Sequence, residues 1–174
     1  MKTENQYIIA YKGLHEGSHD FIFNIGKSFI EKHVFLEARD GKLRADVNMV
    51  KSATQLVFAI TIGGFIEVQC DRCLDYFPLE INFTGTLYAK FSGTTGEYDG
   101  EVIVLDPEEG EIDLKQYFFE SIGLSIPYRK IHPPDRNNEP TCNREMLTRL
   151  GEHIVSGESK NNPLQDKLKD LSNL

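Results

Sequence analysis

The chain has 174 residues, 40% apolar and 26% charged, with a formal net charge of −8. That length suits one well-packed domain over residues 1–174 and leaves too little chain for a second, and no apolar run is long enough to span a bilayer. Eight of the 27 acids lie between Glu97 and Asp113, where there is no Lys or Arg, so the rest of the chain carries 19 acids against 19 bases and a nucleic-acid-facing patch stays open despite the overall charge.

The N-terminal run from Met1 to Gln6 lacks the apolar core of a secretory signal, which leads to the expectation of a cytoplasmic protein. In that compartment three cysteines are expected as reduced thiols or metal ligands, and their odd number argues against a disulfide framework. Tyr7 to Tyr11 reads as a short strand and Phe21 to Ile25 as a second, with Gly26 to His33 a short helix or an extended turn. Asp40-Gly41 signals a turn. Lys42 to Met49 alternates apolar and polar residues, the period of a half-buried strand.

Thr54 to Gln69 is rich in Val, Ile, Phe and Thr and reads as two strand segments joined by a turn or bulge at Gly63-Gly64. Pro78 to Phe91 alternates again, with a bend marked by Gly85, so Cys70-Asp71-Arg72-Cys73 falls at or near a hairpin turn. Ser92 to Gly100 reads as a loop and Val102 to Leu105 as a short, more fully buried strand. The period then changes: Ile112, Leu114, Tyr117, Phe118, Ser121 and Ile122 predict a helix over 113–123, acidic at its start and closed by Gly123. Pro133, Pro134 and Pro140 keep the next segment irregular, and Arg144 to His153 reads as a short helix. Residues from about 156 are expected to be partly mobile, with a weak helical stripe at Leu164, Leu168 and Leu171. The fold class is α+β: a mainly antiparallel sheet of six or seven strands, open or curled toward a barrel, with one principal helix and an irregular C-terminal segment.

Two thiols two residues apart can grip one metal ion or form one redox disulfide. A thioredoxin-type dithiol needs the N-terminus of a helix, whereas Cys73 here runs into Pro78 and a strand pattern, so a CxxC thiol oxidoreductase is the weaker reading. A structural zinc site asks less, and Cys142 with His132 could complete a Cys70/Cys73/His132/Cys142 set. The alternative is three small, partly buried thiols with His132 as a loop residue, and His15, His19, His33 and His153 are substitutes with no spacing argument. No nucleophile elbow, phosphate-cradling loop or Walker motif is present, so neither catalysis nor a small-molecule substrate is expected.

Gly64 through Cys70-Asp71-Arg72-Cys73-Leu74-Asp75-Tyr76-Phe77 resembles the bacterial YceD-like family, the large ribosomal RNA subunit accumulation proteins, whose hallmark is a glycine, a strand, then C-x-R-C-L, an acid and an aromatic. Leu124-Ser125-Ile126-Pro127 is similar to the family's L-x-L-P, with His132 five residues after the proline and Cys142 beyond. Asn162-Pro163-Leu164 with Leu168 and Leu171 is similar to its closing motif. Lys130 stands where many members have a second proline, and the interval from His132 to Cys142 is longer than in the family. The resemblance implies a non-enzymatic ribosome-biogenesis factor for large-subunit ribosomal RNA that works through RNA or ribosomal-protein contact. Beside it, Arg72, Arg129, Lys130, Arg136 and Arg144, followed by Arg149, offer a modest basic surface, and Tyr76, Phe77 and Tyr128 offer stacking platforms if exposed. The runner-up is a protein-interaction module whose acidic 97–113 segment competes for a basic surface.

Overall fold

The structure, a computed structural model, describes residues 7–91, 100–106 and 108–153. The loop expected over Ser92 to Gly100, apart from Gly100, and the stripe at Leu164, Leu168 and Leu171 lie outside the described residues. In chain order come β1 (Ile8–Ala10), β2 (Gly17–Gly26), α1 (Lys27–Lys32), a 3-10 turn (Val34–Leu36), β3 (Ala38–Lys51), β4 (Gln55–Gln69), β5 (Tyr76–Phe91), β6 (Val102–Leu105), β7 (Glu111–Asp113), α2 (Lys115–Ser125) and α3 (Arg144–His153). Among these helices none is long and apolar enough to cross a membrane.

Alternation dictates the main sheet. Leu43, Ala45, Val47 and Met49 of β3 and Leu56, Phe58, Ile60 and Ile62 of β4 all face the core and are buried, with polar residues between most of them facing out. Each such Leu, Ile or Phe contributes about 1.5–3 kcal/mol on leaving water. The sheet is five-stranded, in the order β2-β3-β4-β5-β6, and open rather than closed into a barrel. Its pairs are antiparallel except that β6 lies parallel to β5. β6 is an edge strand of which only Leu105 is buried, not the well-buried strand expected there. A separate two-stranded ribbon pairs β1 with β7, bringing buried Ile9 opposite Ile112.

Three turn signals act otherwise than expected. Asp40-Gly41 lies inside β3, beside a register shift between Ala38 and Asp40, and a Cβ at Gly41 would press on Ile30 and Ile66 at 3.1 Å. β4 runs unbroken through Gly63-Gly64. Gly64 has φ +142, and a Cβ there would run into the Lys42 carbonyl oxygen, so the glycine serves close approach of β3 rather than a turn. Gly85 likewise lets the Phe83 ring and the Tyr117 hydroxyl approach where a Cβ would stand 2.6 and 2.7 Å from them.

The acids at 111–113 belong to β7, so α2 begins later than expected, with the Asp113 carboxylate accepting the Lys115 N–H at 2.8 Å. It also continues past Gly123 to Ser125, and Ile126 turns extended (φ −78, ψ 122) because Pro127 follows. Tyr117, Phe118 and Ile122 bury one side of α2, and the Phe118 ring meets Tyr7 at 5.8 Å and Phe23 at 5.6 Å. That packing aims the segment after α2 at the hairpin between β4 and β5.

Candidate metal centre

β4 and β5 pair as far as Gln69 opposite Tyr76, and residues 70–75 close the hairpin. The turn is built by backbone bonds: Cys70 N–H donates to the Asp75 carbonyl at 2.9 Å, and Leu74 N–H donates to the Cys70 carbonyl at 3.0 Å. Leu74 takes a left-handed conformation (φ 62) to make the return, and Gln69 Nε2 ties its carbonyl at 2.9 Å. Both cysteines point inward, Cys70 fully buried and Cys73 1% exposed.

The segment after α2 meets this turn edge to edge. Asp71 N–H donates to the Lys130 carbonyl at 2.7 Å, while Lys130 N–H donates to Asp71 Oδ2 at 2.6 Å. Two residues on, the His132 ring lies against Phe77, with centroids 4.6 Å apart. Cys142 returns to the same point, helped by Asn143, whose Nδ2 reaches Asp75 Oδ2 at 3.3 Å and whose Oδ1 accepts the Glu145 and Met146 N–H groups that open α3.

Cys70, Cys73, His132 and Cys142 therefore form one cluster, with their ligand atoms all within 4.8 Å of one another. Cys70 Sγ lies 3.8 Å from Cys142 Sγ, and His132 Nδ1 lies 3.5 Å from Cys73 Sγ and 3.7 Å from Cys142 Sγ. A tetrahedral ion bound at about 2.3 Å to sulfur and about 2.05 Å to nitrogen has S–S edges of about 3.8 Å and S–N edges of about 3.6 Å. These three separations are close to those edges and the remaining ones are at most 4.8 Å, so these four residues could hold a metal ion. His15 and His19 instead lie against each other at 4.6 Å, and His33 stacks on Phe119 at 4.7 Å; neither arrangement joins the cluster.

The thiols are unequal. Burial pushes Cys70 up, but N–H groups of Cys73, Arg72 and His132 directed at its sulfur, with the His132 ring, outweigh that and bring its pKa down to about 6. Burial and the neighbouring sulfurs of Cys70 and Cys73 push Cys142 up to about 11. Without a cation, the Cys142 thiol keeps its proton beside the more acidic Cys70, and a divalent ion would favour its loss by neutralising the charge of the sulfurs it brings together. No helix follows Cys73, since β5 begins at Tyr76, so no helix dipole acts on the pair.

Arg72 lines a hollow with His132 and Cys142, Arg129 and Lys130 line a different groove, and Arg136 and Arg144 are exposed and line neither. Lys130 is not a free cation: its Nζ pairs with Glu37 at 2.5 Å, and the side chain is 14% exposed. Arg149 pairs with Glu145 at 2.7 Å. Of the aromatics, Phe77 is buried, Tyr76 is 43% exposed with the Arg39 guanidinium 3.8 Å from its ring centre, and Tyr128 is fully exposed. Asp71 and Glu37 were missed, because nothing local marks an acid whose partner lies 59 or 93 residues away.

A family model described as large ribosomal RNA subunit accumulation protein YceD matches residues 58–173, more than half of the chain. No curated protein and no solved structure matches.

Proposed function

The chain belongs to the YceD family, and on that premise we propose that it is a cytoplasmic, non-enzymatic factor supporting accumulation or maturation of large-subunit ribosomal RNA by binding RNA or ribosomal protein. The observation that carries this reading is the extent of the match. It begins within β4, crosses the cysteine hairpin and takes in His132 and Cys142, so the metal cluster lies inside the family's own span. A zinc ion held there by Cys70, Cys73, His132 and Cys142 has four protein ligands and no open position, which suits a structural clamp rather than a reaction centre. Its contribution is folding free energy, spent on fixing the 126–143 segment to the sheet.

The test is binding of the zinc-loaded chain to large-subunit RNA fragments and to large-subunit ribosomal proteins, with the RNA arm run across a salt series, alongside the ratio of large- to small-subunit RNA in cells lacking the gene. Binding to one partner class together with a fall in that ratio is the expected result. An unchanged ratio with no binding to either class overturns the proposal. Rapid alkylation of Cys70 in the zinc-loaded protein at neutral pH would reopen the thiol-redox reading.

A further inference from the structure

Phe35, in the 3-10 turn, is 92% exposed, and Tyr128, just after α2, is 104% exposed. Neither ring lies against another aromatic among the described residues. Bare rings of this size do nothing for the fold, and exposed apolar groups that line one depression mark a contact surface. Both line a groove of about 620 Å³ that is also lined by Leu36, Ile126 and Arg129.

We infer that this groove binds a single-stranded segment of RNA, with bases stacked on Phe35 and Tyr128 and a phosphate on Arg129. The inference rests on the RNA-binding form of the proposed function and names the surface that performs it. The rings are presented by fixed backbone. Leu36, next to Phe35, is buried, and the strip carrying Tyr128 and Arg129 is pinned one residue later by the paired Asp71–Lys130 hydrogen bonds and by the Lys130–Glu37 ion pair.

The charges around the groove favour bases over a peptide. A basic peptide needs unclaimed carboxylates, yet Glu37 is ion-paired with Lys130 and Asp71 accepts the Lys130 N–H. An acidic peptide needs several cations. Of Arg129 and Lys130, only Arg129 makes no ion pair with a described residue. Two open rings and one guanidinium are the sequence-tolerant combination that holds unpaired nucleotides, since every base has a face to stack.

The experiment uses the intact zinc-loaded chain, an unstructured RNA of roughly 12 nucleotides and a large-subunit RNA fragment, with affinities measured across a salt series. Phe35→Ala and Tyr128→Ala should each weaken binding by about tenfold or more. Arg129→Ala should weaken it and lower the salt slope by about 0.7, as for one lost phosphate contact on a single strand. Tyr128→Trp should keep the affinity and be quenched by RNA, a clean signal because the chain has no tryptophan. Ile22→Ala, an exposed apolar residue 57% open in β2, is the control and should change nothing. Wild-type binding that survives loss of both rings overturns the groove and leaves the RNA reading standing. Absence of wild-type binding to either RNA overturns both. Binding of a ribosomal protein in place of RNA, lost on removing Phe35, makes the groove a protein surface and also overturns the inference.

Discussion

Strands β3 and β4 bury every second residue over most of their length, whereas between Ile126 and Asn143 only Cys142 is buried. The sheet spreads its stabilisation over some dozen apolar side chains and three antiparallel ladders, so no single atom decides it. The later segment has four prolines, few ladder bonds and little apolar burial, and it is held at points: the Asp71–Lys130 pair, the Lys130–Glu37 ion pair and the four-residue cluster. Segments tied at few points open locally and cheaply, so the Cys/His cluster matters most where the core is absent.

The contrast can be broken from the sheet side first. Phe58 is wholly buried in β4, and Phe58→Ala should cost about 3–5 kcal/mol in a denaturant titration followed by far-ultraviolet dichroism. A loss under about 1 kcal/mol would show that the core tolerates a cavity and that the sheet is not the distributed scaffold described.

Removal of the metal attacks the other region. Chelation of the zinc-loaded protein, or Cys142→Ser, should lower stability by about 3–4 kcal/mol at zinc levels a few hundred times the dissociation constant. Amide exchange should speed up over 126–143 while β3, β4 and β5 stay protected. Equal acceleration in both regions would refute a local clamp.

The pH dependence of zinc affinity sharpens the comparison further. Cys142, held near 11 in the metal-free protein, must lose its proton to become a ligand, so binding releases a proton and higher pH favours it. Affinity should rise by at least about tenfold per pH unit between pH 6 and 8, measured by competition with a chromophoric chelator. A flat profile would remove Cys142 from the ligand set.

The smallest effect belongs to Lys130. Its hydrogen bond and ion pair with Glu37 raise the ammonium above its usual value. The folded form therefore holds the proton more tightly than the unfolded chain, and the contribution is complete below about pH 10 and lost as pH rises through the raised pKa. Lys130→Met should cost no more than about 1 kcal/mol at neutral pH, and the difference from wild type should shrink toward pH 11 in thermal melts. A constant difference across that range would mean the loss comes from packing of the stem rather than from charge.

Where the framework repeats itself, it was readable in advance. Strands over 42–49 and 78–91, and with them the hairpin at the cysteines and the α+β class, follow from periodicity, because a pleated strand imposes its own spacing on neighbouring residues. Glycine misled: Gly41 and Gly64 look like turn residues, and only the approach of Ile66 to one and of Lys42 to the other reveals that they make room inside strands. The strand at 111–113 was hidden for a similar reason, since its partner is β1, about a hundred residues upstream.

Residue chemistry by itself nominated Cys70, Cys73, His132 and Cys142, because few side chains can ligate a soft cation and these were the ones with a spacing to argue from. That they converge within 4.8 Å of one another, that Lys130 is held by Glu37, and that Phe35 and Tyr128 border one groove were decided by tertiary structure alone. Separation along the chain carries no distance information for an irregular segment; the direction in which α2 releases it, set by packing against the sheet, does.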